Sequence, residues 1–177
     1  MGDQNWMDLL SGQMMVSKLM EANAYTRQYG LALTQQDTEL LLSERRHALK
    51  QERRVEFGQG ILPKIIYEFC DSAYISQDNY VETLIRLQEI FYLYKNEMMD
   101  EITDDELLHF MKEQMETVCY GDLEYLESTC LEIFARAIRA GYRDYQESEG
   151  YGAFSQLDDV PRWDKGLYLS TLQEELG

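Results

Sequence analysis

The sequence is short of proline, histidine and basic residues. Its 177 residues include two prolines and two histidines, and 16 lysines and arginines stand against 33 aspartates and glutamates. Because proline interrupts helices, its scarcity favours long helical segments. The formal net charge of −17 repels phosphate backbones and anionic membranes. Composition therefore argues against a general nucleic-acid-binding or membrane-binding protein.

Long apolar runs and paired cysteines are scarce as well. The longest aliphatic or aromatic run is residues 90–94, far below the roughly 20 residues that span a bilayer. The first residues lack a basic segment followed by an apolar one, so we expect no signal peptide. Cys70, Cys119 and Cys130 form no CxxC pair and are predicted to be buried thiols. These absences favour a cytoplasmic location.

The residues that are plentiful predict a folded helical protein. Apolar residues make up 45% of the chain, too many for a disordered one. They recur at helical spacing, and no segment shows convincing period-two alternation. We predict an all-α, single-domain bundle of about six helices in residues 1–148. A loop-rich C-terminal extension follows over residues 149–177, where residues 167–176 have the pattern of one short terminal helix.

Capping residues and apolar stripes set the predicted helix boundaries. The first helix is expected to end before Gly30 and to bury a stripe of apolar residues, namely Leu10, Met14, Met15, Leu19 and Ala22. Thr34, with Asp37 three residues later, begins a second helix whose inner face runs to Val55. The last long helix is expected to run continuously from Leu123 to Glu147.

Both histidines lie in Glu-x-x-His spacing, which raises the question of a metal site. Glu44 precedes His47 on the second helix, and Glu106 precedes His109 on a later one. Ferritin-like di-metal proteins use this spacing, with all ligands projecting into the bundle. Here both histidines point away from the apolar faces of their helices, and Glu106 matches a capping-box acid after Thr103. The pattern therefore favours surface histidines, with a carboxylate–histidine metal protein or enzyme as the alternative.

The second helix carries the one basic strip of this acidic chain. Arg46, Lys50, Arg53 and Arg54 lie on or beside its outward face. Nucleic-acid binding through the helix over 35–55 is a further alternative, but no aromatic residue interleaves with the cations to stack on bases. We therefore predict that the strip contacts an acidic protein surface, of a second copy or of another protein.

Two charged residues of the same helix border its apolar face. Arg45 and Glu52 are one heptad apart, on the side that faces the core. Charged residues are rarely buried unless they are paired, so we predict a semi-buried ion pair here. The functional alternative is that Arg45 binds an anion in a cleft.

Four longer stretches resemble one known family. They are "EFGQGILPKIIYEFCDS", "SQDNYVETLIRLQEIFYLYKNE", "CYGDLEYLESTC" and "FARAIRAGY". Together they resemble a small family of bacterial proteins of unknown function, found mainly in clostridia and related Firmicutes, over roughly residues 25–145. The resemblance implies a cytosolic, single-domain bacterial protein. It carries no functional residues, because the family has no assigned activity.

The functional prediction rests on the charge pattern and on missing motifs. The sequence has no Walker loop, nucleophile elbow, HExxH motif or EF-hand loop. We predict no cofactor and lean toward a non-enzymatic cytosolic interaction or regulatory module.

Overall fold

The computed structural model describes the backbone of residues 2–141 and the side chains of residues 6–141 other than residue 8. Over this range the chain forms helices and turns and no strand, which confirms the all-α class. The helices are α1 (Gly2–Met20), α2 (Asn23–Thr26), α3 (Gln35–Glu52), α4 (Leu62–Phe69), α5 (Tyr80–Glu97), α6 (Asp104–Thr117), α7 (Leu123–Tyr125) and α8 (Leu131–Arg139). Six of these described helices have eight or more residues, as predicted.

Contacts divide the chain into two compact units, one ending at Glu89 and the other beginning at Ile90. The predicted boundary at residue 148, the extension over 149–177 and its terminal helix lie outside the described residues. No helix in the described range combines the length and apolar character needed to cross a bilayer.

In the first unit, α1 packs against α3, and the core is apolar side chains of α3, α4 and the start of α5. As predicted, Thr34 caps α3. Its hydroxyl accepts from the Asp37 amide at 3.0 Å, and the Asp37 carboxylate accepts from the Thr34 amide at 2.9 Å. The helix ends at Glu52, because Arg53 turns left-handed with φ 56°. Val55, expected on the inner face, therefore lies beyond the helix and is 82% exposed.

Two side-chain amides fix the link between the first helices and α3. The Asn23 amide donates to the Leu33 carbonyl at 2.9 Å and accepts from the Leu33 amide at 2.8 Å. Gln77 makes the same two-way contact with Ala32, at 2.9 and 2.8 Å. Because these amides replace the missing backbone partners, the link is held without a strand.

The second unit is organised around two aromatic rings and one buried cation. Phe110 of α6 and Phe134 of α8 stack with centroids 3.7 Å apart. Lys95 of α5 is 6% exposed and donates to the Ile102 carbonyl at 2.8 Å. Its ammonium also lies 2.9 Å from a carboxylate oxygen of Asp104. These contacts hold the turn between α5 and α6.

The predicted continuous helix over 123–147 is wrong in two respects. Asp122 caps it as expected, accepting from the Tyr125 amide at 3.1 Å, but a π turn over Leu126–Cys130 follows α7 at once. The helical run then ends at Arg139, and Gly141 adopts φ 103°, which lies outside helical geometry. Periodicity alone does not reveal a one-residue π insertion, since apolar spacing shifts by only one position.

Candidate interaction surface

The basic strip of α3 is open to solvent along most of its length. Arg46, Lys50 and Arg53 are exposed, and none of them forms an ion pair with another described residue. Arg54 is half-buried. Arg46 and Lys50 are four positions apart and share one stripe of α3, and Arg53 follows directly after the end of the helix. The strip therefore offers three cationic groups to a partner.

Arg45 lies on the opposite side of the same turn and is 5% exposed. Its Nε donates to Oε1 of Glu56 at 3.0 Å, which forms an ion pair across the end of the helix. Its Nη2 is buried and has no hydrogen-bond partner among the described residues. Glu52, the partner suggested by heptad spacing, is half-buried on α3. Sequence spacing missed Glu56 because the chain first leaves the helix through the left-handed Arg53.

The α3–α4 loop presents two large apolar side chains directly after the basic strip. Val55 is 82% exposed and Phe57 is 90% exposed, while Glu56 between them points back to Arg45. Together these two side chains form a small exposed apolar patch, and aromatic residues are common among binding anchors. The sequence feature that could have indicated this exposed side chain is a single phenylalanine between arginines and two glycines.

The first half of α1 is also apolar on its outer side. Five large apolar residues are exposed there: Trp6, Met7, Leu9, Leu10 and Met14. Leu10 and Met14 were expected in the core, but only the later part of that stripe, Leu19 and Ala22, is buried. The sequence contains an indication of this exposure. Apolar residues occupy more than one face of the helix, so a single element that packs on one side cannot cover all of them.

A groove of about 530 Å³ lies between α1 and α3. Leu9, Val16 and Met20 of α1 and Leu42 of α3 give it an apolar lining, and Glu39 and Arg46 of α3 stand in its wall. Arg46 therefore belongs both to the groove and to the basic strip. The groove, the outer side of α1 and the strip together form the candidate surface.

The candidate metal ligands are distributed over two helices. Glu44 and His47 lie on α3, and Glu106 and His109 lie on α6, with both imidazoles exposed. No three His, Cys, Asp or Glu side chains among residues 6–141 lie together as a metal site would require. Glu106 makes one of the two hydrogen bonds of a capping box. Its amide donates to Thr103 Oγ1 at 3.1 Å, but its carboxylate makes no return bond to Thr103.

Comparison with known proteins places the chain in a family without assigning it an activity. Neither the curated proteins nor the solved structures include a match to it. Residues 18–144 match the model of a family of unknown function, DUF6323. That match covers most of the chain, and it includes α2 to α8, the basic strip and one wall of the groove. The chain therefore belongs to the DUF6323 family.

Proposed function

We propose that this protein is a non-enzymatic interaction module that binds an acidic amphipathic helix of a partner protein in the groove between α1 and α3. The observation that carries the proposal is the groove itself, in which four apolar side chains are flanked by polar ones and Arg46 stands in the wall. A helix that recognises such a groove inserts apolar residues spaced by three and four positions. Its flanking acidic residues would then meet Arg46, Lys50 and Arg53.

The net charge of the whole protein opposes an acidic partner only weakly, because most of it is screened at the groove. The net charge of −17 is spread over the chain, and salt screens it beyond roughly 8–10 Å. Arg46 lines the groove together with Glu39, and Lys50 and Arg53 lie outside its lining; none of these three cations has a described counterion. Each of these peripheral charges contributes roughly 0–1 kcal/mol to the free energy of binding. They therefore influence the orientation of the partner more than its affinity.

Phe57 extends the same surface beyond the groove. It follows Arg53 by four residues, and the buried Arg45–Glu56 pair fixes the backbone beneath it. An aromatic side chain has few rotatable bonds to immobilise on binding, and aromatic residues are enriched among the residues that dominate binding energies. We propose a cytoplasmic, bacterial setting for this interaction. The family resemblance and three free cysteines support that setting.

A displayed library of helical peptides tests the proposal. Apolar residues are fixed at positions i, i+3, i+4 and i+7, and the other positions are randomised among charged and polar residues. Selection on the full chain should enrich aspartate and glutamate along one flank. The variant Arg46→Glu/Lys50→Glu should weaken binding of the selected peptides by about fivefold, since two attractions become repulsions and the change is roughly 1 kcal/mol in total.

The matched control is Arg27→Glu/Lys64→Glu, which makes the same change in net charge at exposed positions outside the groove. This control should bind the peptides like the parent protein. The proposal fails if no helical peptide is selected, or if both double variants weaken binding equally. Analytical ultracentrifugation of the protein alone tests whether a second copy of the chain occupies the groove. A dimer that is abolished by Leu9→Glu would show that it does.

A further inference from the structure

Two of the three cysteines meet inside the second unit. Cys119 Sγ lies 3.4 Å from Cys130 Sγ, and either thiol is positioned to donate to the other. Both side chains are buried, with Cys119 6% exposed and Cys130 fully covered. The two residues are 11 positions apart and belong to different elements. Cys119 follows α6, and Cys130 ends the π turn that precedes α8.

The backbone at both cysteines departs from regular helix. Tyr120, next to Cys119, is a non-glycine residue with φ 49°, and Gly121 follows with φ 85°. Cys130 lies in the π turn over Leu126–Cys130, which contains one residue more than an α turn. A disulfide has sulfurs about 2.05 Å apart, so these sulfurs must approach by about 1.4 Å. Irregular turns accommodate such a shift more easily than two continuous helices do.

We propose that Cys119 and Cys130 are a redox-sensitive dithiol that closes reversibly to a disulfide when a peroxide oxidises it. In the first step the Cys119 thiolate attacks one peroxide oxygen and the O–O bond breaks. Cys119 becomes a sulfenic acid, and with hydrogen peroxide the leaving hydroxide takes up a proton to give water. The Cys130 sulfur then attacks the sulfenic sulfur, the S–S bond forms, and the S–O bond breaks to release a second water.

The order of the two thiols follows from their surroundings. Cys119 is the more accessible, so it meets the oxidant first. The hydrogen bond with Cys119, together with burial, raises the pKa of the Cys130 thiol far above its usual range. The raised pKa makes Cys130 the weaker nucleophile toward peroxide, which leaves the first attack to Cys119. When Cys130 later attacks the sulfenic sulfur, its proton leaves with the sulfenic hydroxide as water.

The third cysteine provides an internal comparison. Cys70 lies in the first unit at the end of α4, where its thiol contacts the Tyr67 carbonyl at 3.6 Å. It is as buried as the other two. If oxidation simply followed burial or the presence of a thiol, Cys70 would react as well. Proximity of a second sulfur predicts instead that Cys119 and Cys130 react as a pair.

Peptide mapping of the full-length protein tests the dithiol. The reduced protein is treated with one equivalent of hydrogen peroxide, blocked with an alkylating agent while denatured, and digested without reductant. We expect one disulfide between the peptides containing Cys119 and Cys130, a free Cys70, and recovery of all three thiols after dithiothreitol. The Cys70→Ser protein should form the same disulfide.

In the Cys130→Ser protein, Cys119 should accumulate as sulfenic acid, detected by trapping with dimedone. The proposal is overturned if all three thiols survive treatment of the parent protein. It is also overturned if the disulfide involves Cys70 or joins two chains. Because the parent protein alone gives the main result, a variant that fails to fold does not weaken the test.

Discussion

Arg45 and Glu56 form an ion pair that ties the end of α3 to the loop after it, with Nε and Oε1 3.0 Å apart. The Arg45 side chain is 6% exposed and that of Glu56 is 17% exposed, so the pair is largely withdrawn from water. The chain reaches this contact by turning left-handed at Arg53. As a result Glu56 points inward while Val55 and Phe57 point outward, and the pair shapes the apolar tip of the candidate surface.

Glu56→Gln should destabilise the protein by roughly 1.5–3 kcal/mol, because the change leaves a buried guanidinium without its counterion. Urea denaturation followed by circular dichroism measures the loss. Glu21→Gln, at an exposed site, should change the free energy of unfolding by no more than about 0.5 kcal/mol. Equal effects of the two substitutions would show that the pair contributes nothing.

Gly60→Ala should be more destabilising than Gly58→Ala, although both glycines have nearly the same φ, 62° and 59°. Each alanine adds the strain of a left-handed residue, about 1–2 kcal/mol. Only at residue 60 would the new Cβ clash with the Glu56 carboxylate. The additional destabilisation by Gly60→Ala relative to Gly58→Ala should disappear in a Glu56→Gln background, because no ion pair remains there for the new Cβ to displace. An excess that persists there would point to a steric clash with the side chain at position 56 and not to the loss of the ion pair.

Lys95→Met should destabilise the second unit by roughly 1.5–3 kcal/mol, because the buried Ile102 carbonyl loses a charged donor. Lys95 also holds Asp100 and Asp104 at 3.6 and 2.9 Å. The turn contains Met99 and Asp100, both with φ 54°, so it depends on these contacts to stay closed. Hydrogen exchange should therefore quicken at residues 98–103. Lys18→Met, at an exposed lysine of α1, serves as the control and should leave both measurements unchanged.

Gln114→Met should stabilise the protein by about 1–2 kcal/mol. Gln114 is fully buried in α6, and neither atom of its amide has a hydrogen-bond partner among the described residues. Methionine has a similar volume and removes the cost of burying an unpaired amide. The melting temperature of Gln114→Met is compared with that of Gln36→Met, a substitution at an exposed site of α3. A lower melting temperature for Gln114→Met would mean that a bound water or ligand satisfies the amide.

Alkaline pH should weaken the fold through Tyr80. Burial raises the pKa of Tyr80 from about 10 to about 12. Above pH 10 the unfolded chain releases this proton while the folded chain still retains it, so stability is full below pH 10 and falls between pH 10 and 12. The free energy of unfolding of the parent should fall relative to that of Tyr80→Phe over that window. A constant difference would contradict a raised pKa.

Local signals predicted the elements better than the contacts between them. The caps at Thr34 and Asp122 were predictable because each hydrogen bond joins residues three positions apart. The π turn and the early end of α8 were missed, since a single inserted residue leaves a helical pattern almost intact. The exposed apolar side of α1 was also missed. Hydrophobic periodicity identifies the apolar face of a helix, but it does not indicate how much of that face neighbouring elements cover.

The sequence by itself determined the all-α class, the two well-formed caps and the outward basic strip of α3, because these depend on spacings of three and four residues. Tertiary structure decided that Arg45 pairs with Glu56, that a groove opens beside Arg46, and that Cys119 meets Cys130. Each of these contacts crosses a turn whose direction is set by left-handed or π geometry. Helical periodicity does not encode that direction, so only the folded chain reveals which side chains come together.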